Sequence, residues 1–338
     1  MQLSFYRYDL KLKHPFTIAR GTRTVEPVVI VKLEHGGLTG FGEAAPSSRY
    51  GENENTVEAF LGRVDVKKFN EPFQLESILD YVDSLADGNY SAKAAIDIAL
   101  HDWVGKALNV PLYKYWGLDK AKTPVTSFTI GIDKPEVIEK KVREAEEYPI
   151  LKIKLGGDND EEIMRTIRKV TRKTLRVDAN EGWKSKEDAL RKIQWLAQEG
   201  VEFVEQPMPA NDLDGVAWLR ERATLPLIAD ENCIRLHDIP KLMNSYDGIN
   251  IKLMKCTGLR EAMKMVATAR ACRMKIMVGC MIETSIAISA AAQFSPLIDY
   301  ADLDGAVLTT NDPFEGTTIV RGKLELPDRP GIGVKSKD

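Results

Sequence analysis

Cysteine and histidine are scarce in this 338-residue chain, with four of each. The cysteines, Cys233, Cys256, Cys272 and Cys280, form no C-x-x-C pair, and no histidine cluster accompanies them. That argues against a disulfide framework or a zinc site and predicts a reducing compartment, the cytoplasm. Excess charge of either sign is also lacking: 47 Lys and Arg face 50 Asp and Glu, a formal net charge of −3. A nucleic-acid partner would need a basic face, so none is expected. The opening residues, MQLSFYRYDLKLKH, mix charge and apolarity too early for a signal-peptide core. No uncharged apolar run reaches membrane-spanning length; residues 276–294 come closest, and Gly279 and Glu283 interrupt them. A membrane partner is therefore not expected either.

Apolar residues make up 43% and charged residues 29%, ordinary values for a globular chain with a sizeable core. The first 45 residues read as strands: 2–12 alternates, 28–33 is β-branched, and His35-Gly36-Gly37 reads as a hairpin turn before 38–43. Helical patterns follow at 56–69, 73–86 and 91–108, the last Ala-rich and without alternation, as in a buried helix. Strands followed by helices predict an α+β capping domain over residues 1–115. The G-x-G in GLTGFGEAA opens no helix, so it reads as hairpin chemistry in the cap rather than a phosphate cradle.

From residue 125 short apolar strands alternate with amphipathic helices. Strands are expected at 126–132, 150–155, 174–178, 202–205, 225–229, 248–252, 275–278 and 301–303. Eight βα units predict an α/β fold, a modified (β/α)₈ barrel over 116–312, with a doubly wound open sheet as the alternative. The Pro/Gly-rich tail, 313–338, is expected to return to the cap.

Parallel strands covered on both faces should be continuously apolar. Here polar residues interrupt the C-terminal ends, where a barrel places its active site. Three interruptions are i, i+2 pairs, Lys152/Lys154, Asp178/Asn180 and Asp302/Asp304. Strand alternation points both members of a pair to one side, the barrel axis. Asp178, Glu205 and Asp230 end three successive strands. Three inward carboxylates on strands about 4.8 Å apart would repel unless a cation neutralised them. Hard oxygen ligands with open positions suit Mg²⁺. The plainer alternative is acids beginning helices, where they are common. Lys154 and Lys252 end strands two and six, opposite each other in an eight-membered ring. An amine near a cation and a second amine has a lowered pKa and can act as a base. Amines on both faces of one carbon can remove a proton from one side and return it on the other. For Lys255 the expectation is a snorkelling strand-end lysine.

The order LKIKLG, RVDANEGW, FVEQP, IADEN, INIKLMKCTG resembles the muconate-lactonising subgroup of the enolase superfamily. SAKAAIDIALHDWVGKALNVPLYKYWG resembles that family's helix between cap and barrel. The resemblance implies one Mg²⁺ per subunit on Asp178, Glu205 and Asp230. It also implies Lys154 and Lys252 as the acid/base pair, and Lys152 beside the substrate carboxylate. No histidine lies at a barrel strand end, which argues against the mandelate-racemase branch. Asp302-Leu303-Asp304 resembles the D-x-D by which dipeptide epimerases grip the substrate ammonium, against the alternative of a strand-end turn. Thr129, Asn180 and Met281 are expected in the wall. The cap loops, residues 17–25 and 47–53, are expected over the substrate. Arg23 resembles the arginine that pairs with the glutamate side chain in Ala-Glu epimerases, with Arg20 nearby. These features imply epimerisation of L-Ala-D/L-Glu in murein peptide recycling, on a dipeptide as the small-molecule partner. The alternatives are hydrophobic or cationic dipeptides, a cycloisomerase, an o-succinylbenzoate synthase, an N-acyl amino acid racemase, or a non-catalytic scaffold. The sequence leaves monomer and homo-oligomer both open.

Overall fold

The β-branched run at 28–33 and the alternation before it build a three-stranded antiparallel sheet, β1 (Gln2–Ile18), β2 (Gly21–His35) and β3 (Leu38–Ala44), in that order. The computed structural model describes residues 1–18 and 21–337. Gly36 and Gly37 take φ of 56° and 78°, and His35 pairs with Leu38, so a two-residue turn joins β2 to β3. Between Lys11 and Phe16 the β1–β2 register shifts, so four residues of β1 oppose one of β2. Such a bulge sharpens the local twist.

Three helices follow, α1 (Glu54–Leu61), α2 (Leu75–Ser84) and α3 (Tyr90–Ala107). Helix α1 stops at Leu61, short of the expected 69, with Gly62 at its C-cap. Residues 91–105 of α3 are all buried, because α3 packs on β3 on one side and on the barrel on the other. Gly40 and Gly42 make the first contact. A Cβ on Gly42 would sit 1.9 Å from the Ala95 carbonyl oxygen, and one on Gly40 would sit 2.0 Å from that of Ala99. The expectation of hairpin chemistry for this G-x-G is thus corrected. The turn belongs to Gly36-Gly37, and Gly40 and Gly42 lie within a strand, where lacking a side chain lets a helix approach.

Eight parallel strands follow: β4 (Phe128–Ile130), β5 (Ile150–Lys154), β6 (Thr174–Asp178), β7 (Val201–Glu205), β8 (Leu227–Ala229), β9 (Gly248–Ile251), β10 (Lys275–Gly279) and β11 (Tyr300–Asp302). Each pairs with its sequence neighbour, and a bridge between Thr126 and Ala301 brings the last strand back to the first. That closure makes a barrel rather than an open sheet. One end is plugged: the buried Arg176 guanidinium stacks 5.3 Å from the Phe203 ring and 5.1 Å from the Tyr300 ring, and donates to the Ala301 carbonyl at 2.9 Å. After residue 312 the chain runs back beneath the cap. Phe314 meets Phe41 edge-on, and the Ile332 amide donates to Asp102 Oδ1. Among the described residues, no helix is long and apolar enough to cross a membrane.

Candidate active site

The carboxyl ends of the barrel strands open into a cavity of about 500 Å³ roofed by the cap. Register sets its floor. Lys154 pairs with Asp178 across β5–β6, and Asp178 with Glu205 across β6–β7. Asp230 follows the last residue of β8. One oxygen from each of Asp178, Glu205 and Asp230 lies within 4.8 Å of the others, and all three residues are buried.

Each carboxylate is held by different partners. Asp178 Oδ1 accepts from the Asn180 amide at 2.9 Å, and its Oδ2 lies 2.7 Å from Lys154 Nζ and 3.1 Å from Lys152 Nζ. Asp230 Oδ2 accepts from Lys252 at 2.8 Å and its Oδ1 from Lys255 at 2.6 Å. Burial works to raise both aspartate pKa values, but the lysines outweigh it and hold them below the ordinary range. Glu205 is different. Its Oε1 accepts from Asn250 Nδ2 at 2.7 Å. Its Oε2 lies 2.7 Å from the Lys152 ammonium in an ion pair but accepts no hydrogen bond from the described residues. Burial, and then the charge of Asp178, push Glu205 up to about 7. An all-oxygen triad with one under-coordinated buried oxygen fits a divalent cation.

The lysines occupy the expected strands. Lys154 ends β5. Lys252 stands one residue past β9, which closes at Ile251, and heads a short helical turn, Leu253–Cys256. Burial works to lower Lys252, but Asp230 and Glu205 outweigh it and drive its pKa above the ordinary lysine range. The lowering expected from the sequence is for an amine beside a bound cation, whereas this direction belongs to the ion pair with Asp230. Lys152 touches both acidic groups, the triad and Asp302, whose Oδ2 accepts from it at 2.8 Å. Asp302 Oδ1 also accepts from Ser127 Oγ at 2.6 Å. Asp304 lies beyond β11 and accepts the Thr129 amide at 2.6 Å. Burial, then the charge of Asp302, push Asp304 up to about 7, whereas Lys152 overcomes burial to hold Asp302 low.

The cavity wall brings together Thr129, Lys152, Lys154, Asn180, Lys252, Met281, Asp302 and Asp304 from the barrel with Arg23 and Ser48 from the cap. Arg23 ion-pairs with Glu26, a buried neighbour that the sequence reading passed over. Arg20 lies outside the described residues. Arg49 of the second cap loop forks onto Glu181 of the barrel at 2.8 and 2.9 Å, another unforeseen contact.

Lys255 corrects a sequence expectation. It does not snorkel. It is fully buried and donates to Asp230 Oδ1 and O at 2.6 Å, to the Cys233 carbonyl at 2.9 Å and to the Asn250 carbonyl at 3.0 Å. The helical turn after Lys252 bends the chain back, so the residue three positions on points beneath Asp230 rather than outward. No pattern in KLMK distinguishes that turn from a continuing strand.

Known proteins share this architecture throughout. Residues 3–117 match the family described as mandelate racemase/muconate lactonizing enzyme, N-terminal domain, and residues 137–338 match enolase C-terminal domain-like. An L-Ala-D/L-Glu epimerase of Bacteroides thetaiotaomicron is 54% identical over 99% of this chain and 88% of its own. The substrate-liganded L-Ala-D/L-Glu epimerase of Bacillus subtilis superposes with a TM-score of 0.93 at 32% identity, over 99% of this chain and 98% of its own. A dipeptide epimerase of Enterococcus faecalis, complexed with Mg and L-Leu-L-Tyr, superposes with a TM-score of 0.91 at 35% identity, over 99% of both chains. With both halves matched and the closed barrel in place, the chain belongs to the mandelate racemase/muconate lactonizing enzyme family of the enolase superfamily.

Proposed function

We propose that this protein is a Mg²⁺-dependent dipeptide epimerase acting on L-Ala-D/L-Glu. The observation that carries the proposal is the pairing of two cavity lysines, Lys154 and Lys252, on opposite barrel strands with a carboxylate triad between them. Asp178, Glu205 and Asp230 would hold one Mg²⁺ per chain, and when bound the ion would offset negative charge developing on the substrate carboxylate. Lys154 takes the α-proton of the C-terminal residue from the L isomer, and Lys252 delivers one to the opposite face; the reverse reaction exchanges their roles. Lys152 sits between the triad and Asp302 and keeps the carboxylate end and the ammonium end of the substrate a fixed distance apart. Asp302 and Asp304 receive the ammonium of the N-terminal residue, with Asn180, Thr129 and Met281 completing the wall. N-acyl amino acids have no ammonium to place there, which disfavours a racemase of that class. Cytoplasmic residence and recycling of cell-wall peptides accompany this reading.

The test is a panel of L,L-dipeptides incubated in D₂O with Mg²⁺ and followed by ¹H NMR. Loss of the C-terminal α-proton signal with appearance of the L,D isomer is expected for L-Ala-L-Glu. Exchange confined to N-acyl amino acids would refute the proposal.

A further inference from the structure

The cap end of the cavity, where Arg23 lies, also contains an acid. Arg23 and Glu26 both lie on β2, three residues apart, which on a flat strand would place them on opposite faces. The bulge that sets Leu12 to Pro15 against Thr24 twists the strand here, and Arg23 Nη1 donates to Glu26 Oε1. The two residues differ in environment. The Arg23 side chain is 47% exposed, whereas that of Glu26 is 10% exposed. Arg23 also points Nη2 toward Ser48 Oγ of the second cap loop, 3.4 Å away. Both Arg23 and Glu26 line the cavity that holds the lysines. Glu26 Oε2 is buried and accepts no hydrogen bond from the described residues. A buried carboxylate with one oxygen unengaged is costly unless a cation stays beside it.

We propose that Glu26 sets the side-chain selectivity of the cavity. With Arg23 in place it is masked and orients the guanidinium as an anion receptor; without Arg23 it is itself a receptor for a cationic side chain. This rests on the dipeptide reading above and deepens it. A guanidinium has five donors in a rigid fork, so engaging Glu26 through Nη1 leaves other donors for a substrate carboxylate. Glu26 also offsets most of the arginine's charge, so the native pocket receives an acidic side chain through directed hydrogen bonds rather than through excess positive charge. A lysine or arginine side chain entering the native pocket meets Arg23 before Glu26 and is repelled. Removing the guanidinium leaves a fixed negative charge, which an ammonium entering from the cavity would neutralise.

The experiment compares kcat/KM for L-Ala-L-Glu, L-Ala-L-Lys and L-Ala-L-Met in the wild-type enzyme and in R23M, E26Q and R23M/E26Q, each read as a ratio to the neutral dipeptide. In R23M the Lys/Met ratio is expected to rise by about tenfold or more and the Glu/Met ratio to fall by a similar factor, the scale of one partly desolvated charge pair. Adding E26Q to R23M is expected to abolish the gain for lysine. E26Q alone is expected to raise the Glu/Met ratio, because Arg23 loses its internal counter-ion. R23Q, which keeps an amide donor for Glu26, gives the same comparison should R23M fold poorly. Equal Lys/Met ratios in R23M and R23M/E26Q would overturn the inference while leaving the dipeptide reading intact. A wild-type enzyme inactive on all three dipeptides would remove both together.

Discussion

Replacing Lys255 by methionine should cost more stability than replacing Lys154. Its ammonium is fully buried and satisfied by four oxygens: two of Asp230 and the carbonyls of Cys233 and Asn250. Removing one partner of a buried ion pair costs about 3–5 kcal/mol, because the remaining polar groups stay dry and unpaired. Asp230 keeps Lys252 at 2.8 Å, so the lower part of that range applies, about 3 kcal/mol. In a chain of this size each kcal/mol moves Tm by roughly 2 °C, so K255M should melt roughly 6 °C below wild type. K154M supplies the contrast. Among the described residues its ammonium ion-pairs with Asp178, which retains Lys152 at 3.1 Å, so K154M should lose less than about half as much. Differential scanning calorimetry of both variants at one pH in EDTA measures the two shifts. A K255M shift no larger than that of K154M would refute the placement of Lys255 beneath Asp230.

G42A should destabilise by about 3 kcal/mol, since its Cβ meets the backbone of α3 rather than a side chain that can move; chemical denaturation measures this. Stability in EDTA should fall as pH rises from about 4 toward 8. Glu205, Asp304 and Glu43 are pushed up to about 7, and Glu283 to about 8, all chiefly by burial. Each therefore binds its proton more tightly folded than unfolded, so its contribution is complete below the ordinary carboxylate range and is lost as pH passes the raised value. Tm measured against pH would show the slope, and a flat profile would count against it. Mg²⁺ should raise Tm in the wild type but not in D178N/D230N, as read by a titration of the melting curve. Asp304→Asn should raise KM for L-Ala-L-Glu by about tenfold or more, with a smaller effect on kcat, in steady-state assays.

What the sequence made legible was periodic or positional. The barrel strands declared themselves as apolar runs one βα unit apart. Asp178, Glu205 and Asp230 stood out because a charge at the end of a buried strand has no ordinary reason to be there. The unread features depend on local backbone geometry that composition does not encode. Lys255 looked like a solvated strand-end lysine because nothing in KLMK marks the helical turn that buries it. Glu26 carries no sequence signal because i, i+3 residues on a strand do not meet unless a bulge twists it, and the bulge arises on the partner strand. Gly40 and Gly42 resemble turn glycines in the sequence because the close approach of α3 is a long-range contact.

The division of labour between the two lysines is tested most directly by deuterium incorporation into L-Ala-L-Glu and L-Ala-D-Glu, catalysed with Mg²⁺ present by Lys154→Ala and Lys252→Ala separately. Lys154→Ala should stop exchange of the L,L isomer and Lys252→Ala that of the L,D isomer, while each variant still exchanges the isomer served by its surviving lysine. Exchange of both isomers by either variant would contradict a two-base site.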